Sequence, residues 1–398
     1  MANSAILAVS ALLVFAYLLD IAGRRYRLPS VVLLVVAGMI ARQVMDRTGL
    51  HLAWVDPLVP IIGTLGLILI VLEGALDLSL RRDRAAMIGR ALASAAVGFG
   101  ICVAAFAALF HFWLALAPAQ ATLAAIPFAV ISSAVAIPSA AGLDPASREF
   151  VVYESAVSDI VGVLVFYAWL EAHGDVAGFA GSLFGGGAIS LLAAAAAAIG
   201  LLYLINRVDG HVRFLPLLAG LILLYALGKA AHLSPLILVL VCGLLLNNHR
   251  LLDRVPPLRK LVRDGYEETL DEFKGLVAEL TFAVKSFFFL MLGYWTDVQH
   301  MTEWQAWAVA GAVLVTIYPV RHAVLRLLGQ GDTARLTWLA PRGLITVLLF
   351  LAAAESGTLG SFPFGAVMLV VLLTAAATGL AHRDRGTAPV AGLERVAE

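Results

Sequence analysis

Two acidic residues stand inside a long apolar run. It reads Val152-Tyr153-Glu154-Ser155-Ala156-Val157-Ser158-Asp159-Ile160-Val161 and continues, largely apolar, to Leu170. A carboxylate at the centre of a lipid bilayer costs roughly 2.5–3.5 kcal/mol on insertion scales. Such a pair needs a counter-interaction, and the simplest is a site that exchanges a cation for a proton. On a helix, Ser155 and Asp159 share a face, as do Glu154 and Ser158 beside them. Two nearby runs add to the set. One holds Ser132-Ser133 between Pro127 and Pro138; the other holds Pro341-Arg342-Gly343 followed by Thr346. A proline inside a helix frees the carbonyl four residues back, here Ala134 for Pro138 and Thr337 for Pro341. In lipid such groups are tolerated where they are buried in protein or line a polar cavity.

A guanidinium stays charged and pairs bidentately, so Arg342 is the natural partner for one of the two carboxylates. Assigning it to Glu154 as a structural ion pair leaves Asp159, with Ser155, for chemistry; spacing alone permits the reverse. Burial disfavours an ionised carboxylate, so a proton and a hard cation compete for the same oxygens. Ser158 and the Ser132–Ser133 region could complete the shell. Glu73, one turn deeper than Asp77 at the end of another apolar run, is placed to line the ion's path. Lys285, among apolar neighbours, reads as charge-compensating or carboxylate-pairing. Arg321 reads as a side chain that snorkels or caps.

The elements that must position these groups follow from composition. Of 398 residues 61% are hydrophobic and 14% charged, against about 25% charged in soluble domains. Mean hydropathy is +0.93. Apolar runs of about 20 residues recur along the chain, which predicts an all-α polytopic membrane protein and excludes a β-barrel, whose strands would alternate. Thirteen spans are expected, near 4–22, 29–44, 57–78, 86–112, 119–143, 149–171, 185–206, 213–230, 233–248, 273–295, 304–328, 335–355 and 361–382. With the N-terminus outside, 21 basic residues fall on the inner side and only Arg42, Arg47 and Lys229 on the outer. The positive-inside rule therefore predicts N-out, C-in. Six of the tryptophans, among them Trp54, Trp169 and Trp304, fall near the outer boundary, as an aromatic belt would.

The first apolar run, Ile6 to Ile21, lacks a preceding basic region and a cleavage site, and reads as a retained span. The loop 249–272, with Pro256-Pro257, reads as a cytoplasmic helix or linker, and 383–398 as a short tail. Zero formal charge suggests no nucleic-acid partner. No metal-ligand spacing, nucleotide signature or nucleophile–base set appears, so no cofactor and no enzymatic activity are expected. Thirteen spans suggest two six-span halves, inverted about a connecting seventh, with broken helices at their interface.

These residues carry a resemblance. The chain resembles the monovalent cation/proton antiporter superfamily, nearer its sodium/proton exchanger branch. Leu28-Pro29-Ser30-Val31 through Ala37-Gly38-Met39-Ile40 looks like the second-span signature, and Leu67 to Leu78, with Glu73, like the third. Glu154-Ser155-Ala156-Val157-Ser158-Asp159 is similar to Glu-Ser-x-x-Asn-Asp, whose final Asp binds the ion. Arg342-Gly343 is similar to the Arg-Gly of the broken twelfth span, whose Arg pairs with the Glu at position 154. Three departures stand out: Ser158 replaces Asn, Ser132-Ser133-Ala134 replaces Thr-Asp-Pro, and Lys285 stands where a neutral or acidic residue is expected.

The resemblance implies a single transporter domain over 1–398, working as a homodimer in lipid. Interface helices fall at about 4–78 and 213–295, moving core helices at about 86–171 and 304–382, and a linker helix at about 185–206. It further implies exchange of Na⁺ (K⁺ or Li⁺ as alternatives) for H⁺ by elevator-type alternating access in the cell membrane. A carrier of an organic solute on the same fold is the other reading, favoured by the missing Asp at Ser133; a channel is a third.

Overall fold

The computed structural model describes residues 2–26, 29–48, 59–80, 84–205, 214–231, 233, 235–249, 266–296, 298–357, 359 and 362–382. Trp54, most of the 249–272 loop and the tail lie outside them. The described residues are helical, with no strand among them. Five described segments have the length and hydropathy to cross a membrane: Ala85–Leu114, Pro118–Ser139, Pro145–Glu171, Tyr266–Trp295 and Trp304–Leu327. Their outward faces carry bare apolar side chains, such as Phe112 and Val315, which suits hydrocarbon.

One packed group joins α1 (Ala2–Tyr26), α2 (Ser30–Thr48) and α3 (Val59–Asp77) to the later helices. These are α9 (Gly187–Ile205), α10 (Phe214–Ala230), α11 (Pro235–Asn247) and α12 (Tyr266–Trp295). Its tightest seam is α2 on α12. There Gly38 faces the backbone of Leu290 and Gly293 faces that of Val35, so a side chain on either glycine would strike main chain. Small residues permit this approach, and in lipid, where apolar area gives little drive, close packing is what holds helices together. α3 lies against both α11 and α12.

The second group holds the residues of interest. α4 (Ala85–Leu114) packs on α5 (Pro118–Ala129) and α7 (Pro145–Glu171), and α6 (Ser133–Ser139) on α7. Past α7 lie the short α8 (Val176–Ala180) and a π-helical turn at Gly181–Gly186. After the short α13 (Val298–Thr302), α14 (Trp304–Leu327) packs on α4. It is followed by α15 (Thr333–Trp338), α16 (Leu344–Glu355) and α17 (Gly365–Ala377). Phe110, Phe128, Phe350 and Phe362 interlock edge-on or stacked around the seam of α5 and α16, with Phe128 and Phe350 centroids 4.8 Å apart.

Two helices are broken, and the breaks cross. The first interruption is at 130–132, between the two prolines of its run; the second is at 339–343 and contains Pro341. Ser132 N donates to Pro341 O at 2.9 Å, tying one extended segment to the other. A Cβ added to Gly343 would lie 2.5 Å from Ser132 Oγ, so glycine is what lets the two extended segments pass. The groups touch where α3 meets α7: a Cβ on Gly74 would contact Ala156 at 3.8 Å.

The start of α7 is set locally. Asp144 is its N-cap, accepting from Ser147 N at 3.0 Å, and Pro145 follows at the first helical position. That backbone hydrogen bond holds the exposed Asp144 carboxyl below its ordinary range. A lowered value means the cap is fully present above the carboxyl's unfolded value near 3.9 and is lost as pH falls through the folded one. Asp144→Ala is expected to cost about 1 kcal/mol, read as a lower unfolding temperature at pH 7 in detergent, the deficit shrinking toward pH 3.

Candidate functional site

The crossing leaves helix ends inside the protein, and an end carries unpaired backbone groups. At α5 the last carbonyls point into the gap. Thr346 Oγ1 donates to Pro127 O at 3.1 Å, and Arg342 Nε donates to Phe128 O at 2.6 Å. The guanidinium nitrogens of Arg342 also reach Ala340 O at 2.7 Å and Ala129 O at 3.5 Å. Arg342 is 1% exposed. A full positive charge there meets the partial negative charge at a helix C-terminus and satisfies carbonyls that no backbone N–H reaches.

The facing N–H groups find acidic or hydroxyl acceptors. Ile131 N donates to Ser158 Oγ at 2.9 Å, and Ser133 N, at the first residue of α6, donates to Asp159 Oδ2 at 3.0 Å. Arg342 N donates to Thr374 Oγ1 at 2.9 Å. A carboxylate at a helix N-terminus meets both its free N–H groups and its partial positive charge. The other oxygen, Asp159 Oδ1, is buried and has no hydrogen-bond partner among the described residues, and neither has Ser132 Oγ. Buried oxygens are almost always paired, so two bare ones at one break mark a place where something else supplies the partner.

Glu154 departs from expectation. It is 1% exposed and bound not by Arg342 but by Arg321: the two guanidinium amino groups reach its two oxygens at 2.9 and 2.8 Å. Ser94 Oγ donates a third bond to Glu154 Oε1 at 2.5 Å, and Arg321 Nε donates to Leu336 O at 2.7 Å. Arg321 does not snorkel; it is buried and links α14, α7 and α15. The physical reason is competition for Arg342. Fixed at the crossing by its own backbone, Arg342 has carbonyls of α5 within reach, and Arg321 comes from a helix that packs on α4, the helix supplying Ser94.

The other expected residues divide. Ser155 is fully buried and donates its hydroxyl to Val151 O, four residues back, at 2.7 Å. A serine inside a helix readily bonds back this way, so Ser155 offers a cation its lone pairs, not its proton. Ser158, on Asp159's own helix, accepts from Ile131 N and Ser133 N donates to Asp159 at the first break, while Ser132 N is bonded to Pro341 O. Glu73 instead faces Lys285, with Nζ to Oε2 at 2.6 Å and both side chains partly exposed. The carboxylate-pairing role expected of Lys285 is thus filled by Glu73.

Sequence reading missed Ser94, Thr374 and Tyr153. Tyr153 Oη donates to Ser79 O at 2.5 Å and pins the end of α3 to α7. Thr374 is the one hydroxyl in the apolar run Gly365–Ala377, and that isolation was its signal.

The family model for the transmembrane sodium/hydrogen exchanger matches residues 9–382. Among solved structures, the sodium proton antiporter MjNhaP1 from Methanocaldococcus jannaschii at pH 8 is similar, with TM-score 0.72 and 18% identity over 95% of each chain. A map-derived structure of the same antiporter gives TM-score 0.64 and 19% identity, over 96% of this chain and 97% of that one. Comparison with curated protein sequences finds no match. At these identities the structures show a shared fold, while the family match spans nearly the whole chain. The buried carboxylate at a crossing of broken helices, in a chain matched from residue 9 to 382, belongs to a multi-pass membrane transporter and not an enzyme: this protein is a member of the sodium/hydrogen exchanger family.

Proposed function

We propose that the chain exchanges a monovalent cation, Na⁺ first and K⁺ or Li⁺ as alternatives, for H⁺, with Asp159 as the shared carrier group. The observation that carries this reading is the asymmetry of its carboxylate. One oxygen is held by Ser133 N at 3.0 Å and the other is buried and bare. A bare oxygen takes a proton or joins a cation's shell, and cannot do both at once. Ser132 Oγ, also bare, and the lone pairs of Ser155 and Ser158 supply further hard oxygen, which suits such cations. Glu154 takes no part in turnover, because Arg321 and Ser94 already use it. One titrating carboxylate carries one proton per cation, so exchange is electroneutral.

Thirteen crossings, with the N-terminus outside and the C-terminus cytoplasmic, suit the charge distribution. In the proposed cycle the helices of 86–171 and 304–382 move against those of about 4–78 and 213–295 in a homodimer held in lipid, with 185–206 as the linker. The core moves only when Asp159 is neutralised, since an ionised carboxylate crossing an apolar barrier is costly. That requirement couples the two fluxes.

The test is reconstitution into liposomes with an internal pH dye, adding Na⁺, K⁺ and Li⁺ in turn. A cation-driven internal pH change that persists when the membrane potential is clamped is expected. An unchanged internal pH with every cation, on both the acid and the alkaline side of neutrality, would remove the proposal.

A further inference from the structure

The Glu73–Lys285 pair is used by nothing in the cycle above, and it lies at the boundary that the cycle moves. Glu73 is on α3 and Lys285 on α12, both in the first packed group, with Nζ–Oε2 at 2.6 Å. The next residue, Gly74, packs against Ala156, less than one helical turn before Asp159 on α7. The two side chains are 26% and 20% exposed.

We infer that this ion pair sets the affinity of the ion site, with Lys285 as a fixed cation held near the site by Glu73, whose own charge moderates it. The inference deepens the exchange reading and rests on Asp159 being the carrier. A positive charge near Asp159 opposes a bound cation and a bound proton alike, because each brings a second positive charge to the same place. Glu73 cancels part of that opposition. The pair therefore acts on affinity for both substrates and leaves their competition in place. Lys285 sets affinity and is not a ligand, since its ammonium donates and has no lone pair for a cation.

Other charges near Lys285 do not substitute for this arrangement. The helices packed on α12 bring Asp20 of α1, Arg42, Asp46 and Arg47 of α2, and Glu73 and Asp77 of α3. Arg42 is taken up by Trp295 O and Asp46, near the opposite end of α2 and α12. Asp77 lies one turn along α3 from Glu73, at the end of that helix. On α7, Glu154 is neutralised by Arg321 and adds no net charge beside Asp159.

The experiment exploits a difference in sign. Removing Glu73 leaves Lys285 unmoderated; removing Lys285 leaves Glu73 as a second negative charge. In proteoliposomes Glu73→Gln is expected to raise the cation KM by on the order of tenfold and to move the pH of half-maximal exchange toward acid. Lys285→Met is expected to lower KM and to move that pH toward alkali. The double variant should fall between them, with maximal rates in all three within a few-fold of the parent.

Structural damage alone predicts two variants that both lose rate and shift nothing in opposite senses. Two shifts of the same sign, or unchanged KM and pH profile with wild-type rates, overturn the inference. Asp159→Asn run in parallel separates the two claims. If that variant still exchanges, the carrier assignment fails first; if it is inactive while the Glu73 and Lys285 variants behave as parent, only the pair's role fails.

Discussion

Asp159→Asn is expected to reduce cation/proton exchange to the level of empty vesicles while the protein still folds. The amide keeps the size of the carboxyl group and retains an oxygen to accept from Ser133 N. The change in stability should stay near the value of one hydrogen bond, about 1 kcal/mol. Function loses far more. An amide cannot take up or release a proton at any relevant pH, so the proton half of the cycle has no carrier. The cation half loses a unit negative charge. At about 4 Å and an effective dielectric of about 20 that attraction amounts to about 4 kcal/mol, close to a thousandfold in affinity. Dye-based exchange, a binding titration and an unfolding curve on the same preparation check all three parts. Sustained exchange by a well-folded Asp159→Asn protein would take the carrier role from this residue. The parent protein should lose activity as pH falls, because the proton then holds the oxygen that the cation needs.

The second large effect concerns stability rather than turnover. Glu154 and Arg321 form a bidentate pair with side chains 1% and 6% exposed. Two charges buried this deeply are tolerable together and costly apart. Arg321→Ala leaves a buried carboxylate with only Ser94 for company, and a loss of about 3–5 kcal/mol is expected. Glu154→Gln leaves the guanidinium its bond to Leu336 O and an amide oxygen, so its loss should be smaller. Adding Glu154→Gln to Arg321→Ala should restore part of the stability, with a coupling on the order of 1–3 kcal/mol in a double-mutant cycle. The matching cycle between Glu154 and Arg342 should be near additive, because Arg342 spends its donors on Phe128, Ala129 and Ala340. Strong coupling to Arg342 and none to Arg321 would refute the observed pairing.

These two acids show how far a chain can be read unaided. Both were visible as charges in an apolar run, and their separation into an acid held by an arginine and an acid with one bare oxygen follows from their partners. The partner of Glu154 was not visible. Arg321 and Arg342 are both basic residues inside apolar segments, and nothing in spacing says which of them reaches α7. The resemblance to the exchanger family favoured Arg342, and the carbonyls left open at the end of α5 claimed it instead. Lys285 was legible as a charge in need of a partner, and Glu73 as an acid in a neighbouring span; their mutual distance of 2.6 Å was not.

The sequence by itself determined the class of the molecule, the positions of its helices, the two interrupted segments and the carboxylate on which exchange is proposed to turn. Those follow from hydropathy, from proline and glycine, and from the cost of charge in hydrocarbon, all of which act along the chain and are read locally. Only the tertiary structure decided which buried charges neutralise one another, which helix ends Arg342 and Asp159 serve, and that one oxygen of Asp159 is left bare. Those outcomes depend on residues more than 150 positions apart in the case of Glu154 and Arg321. They are set by which unpaired group lies within bonding distance once the helices have packed, a competition that has no counterpart in local sequence.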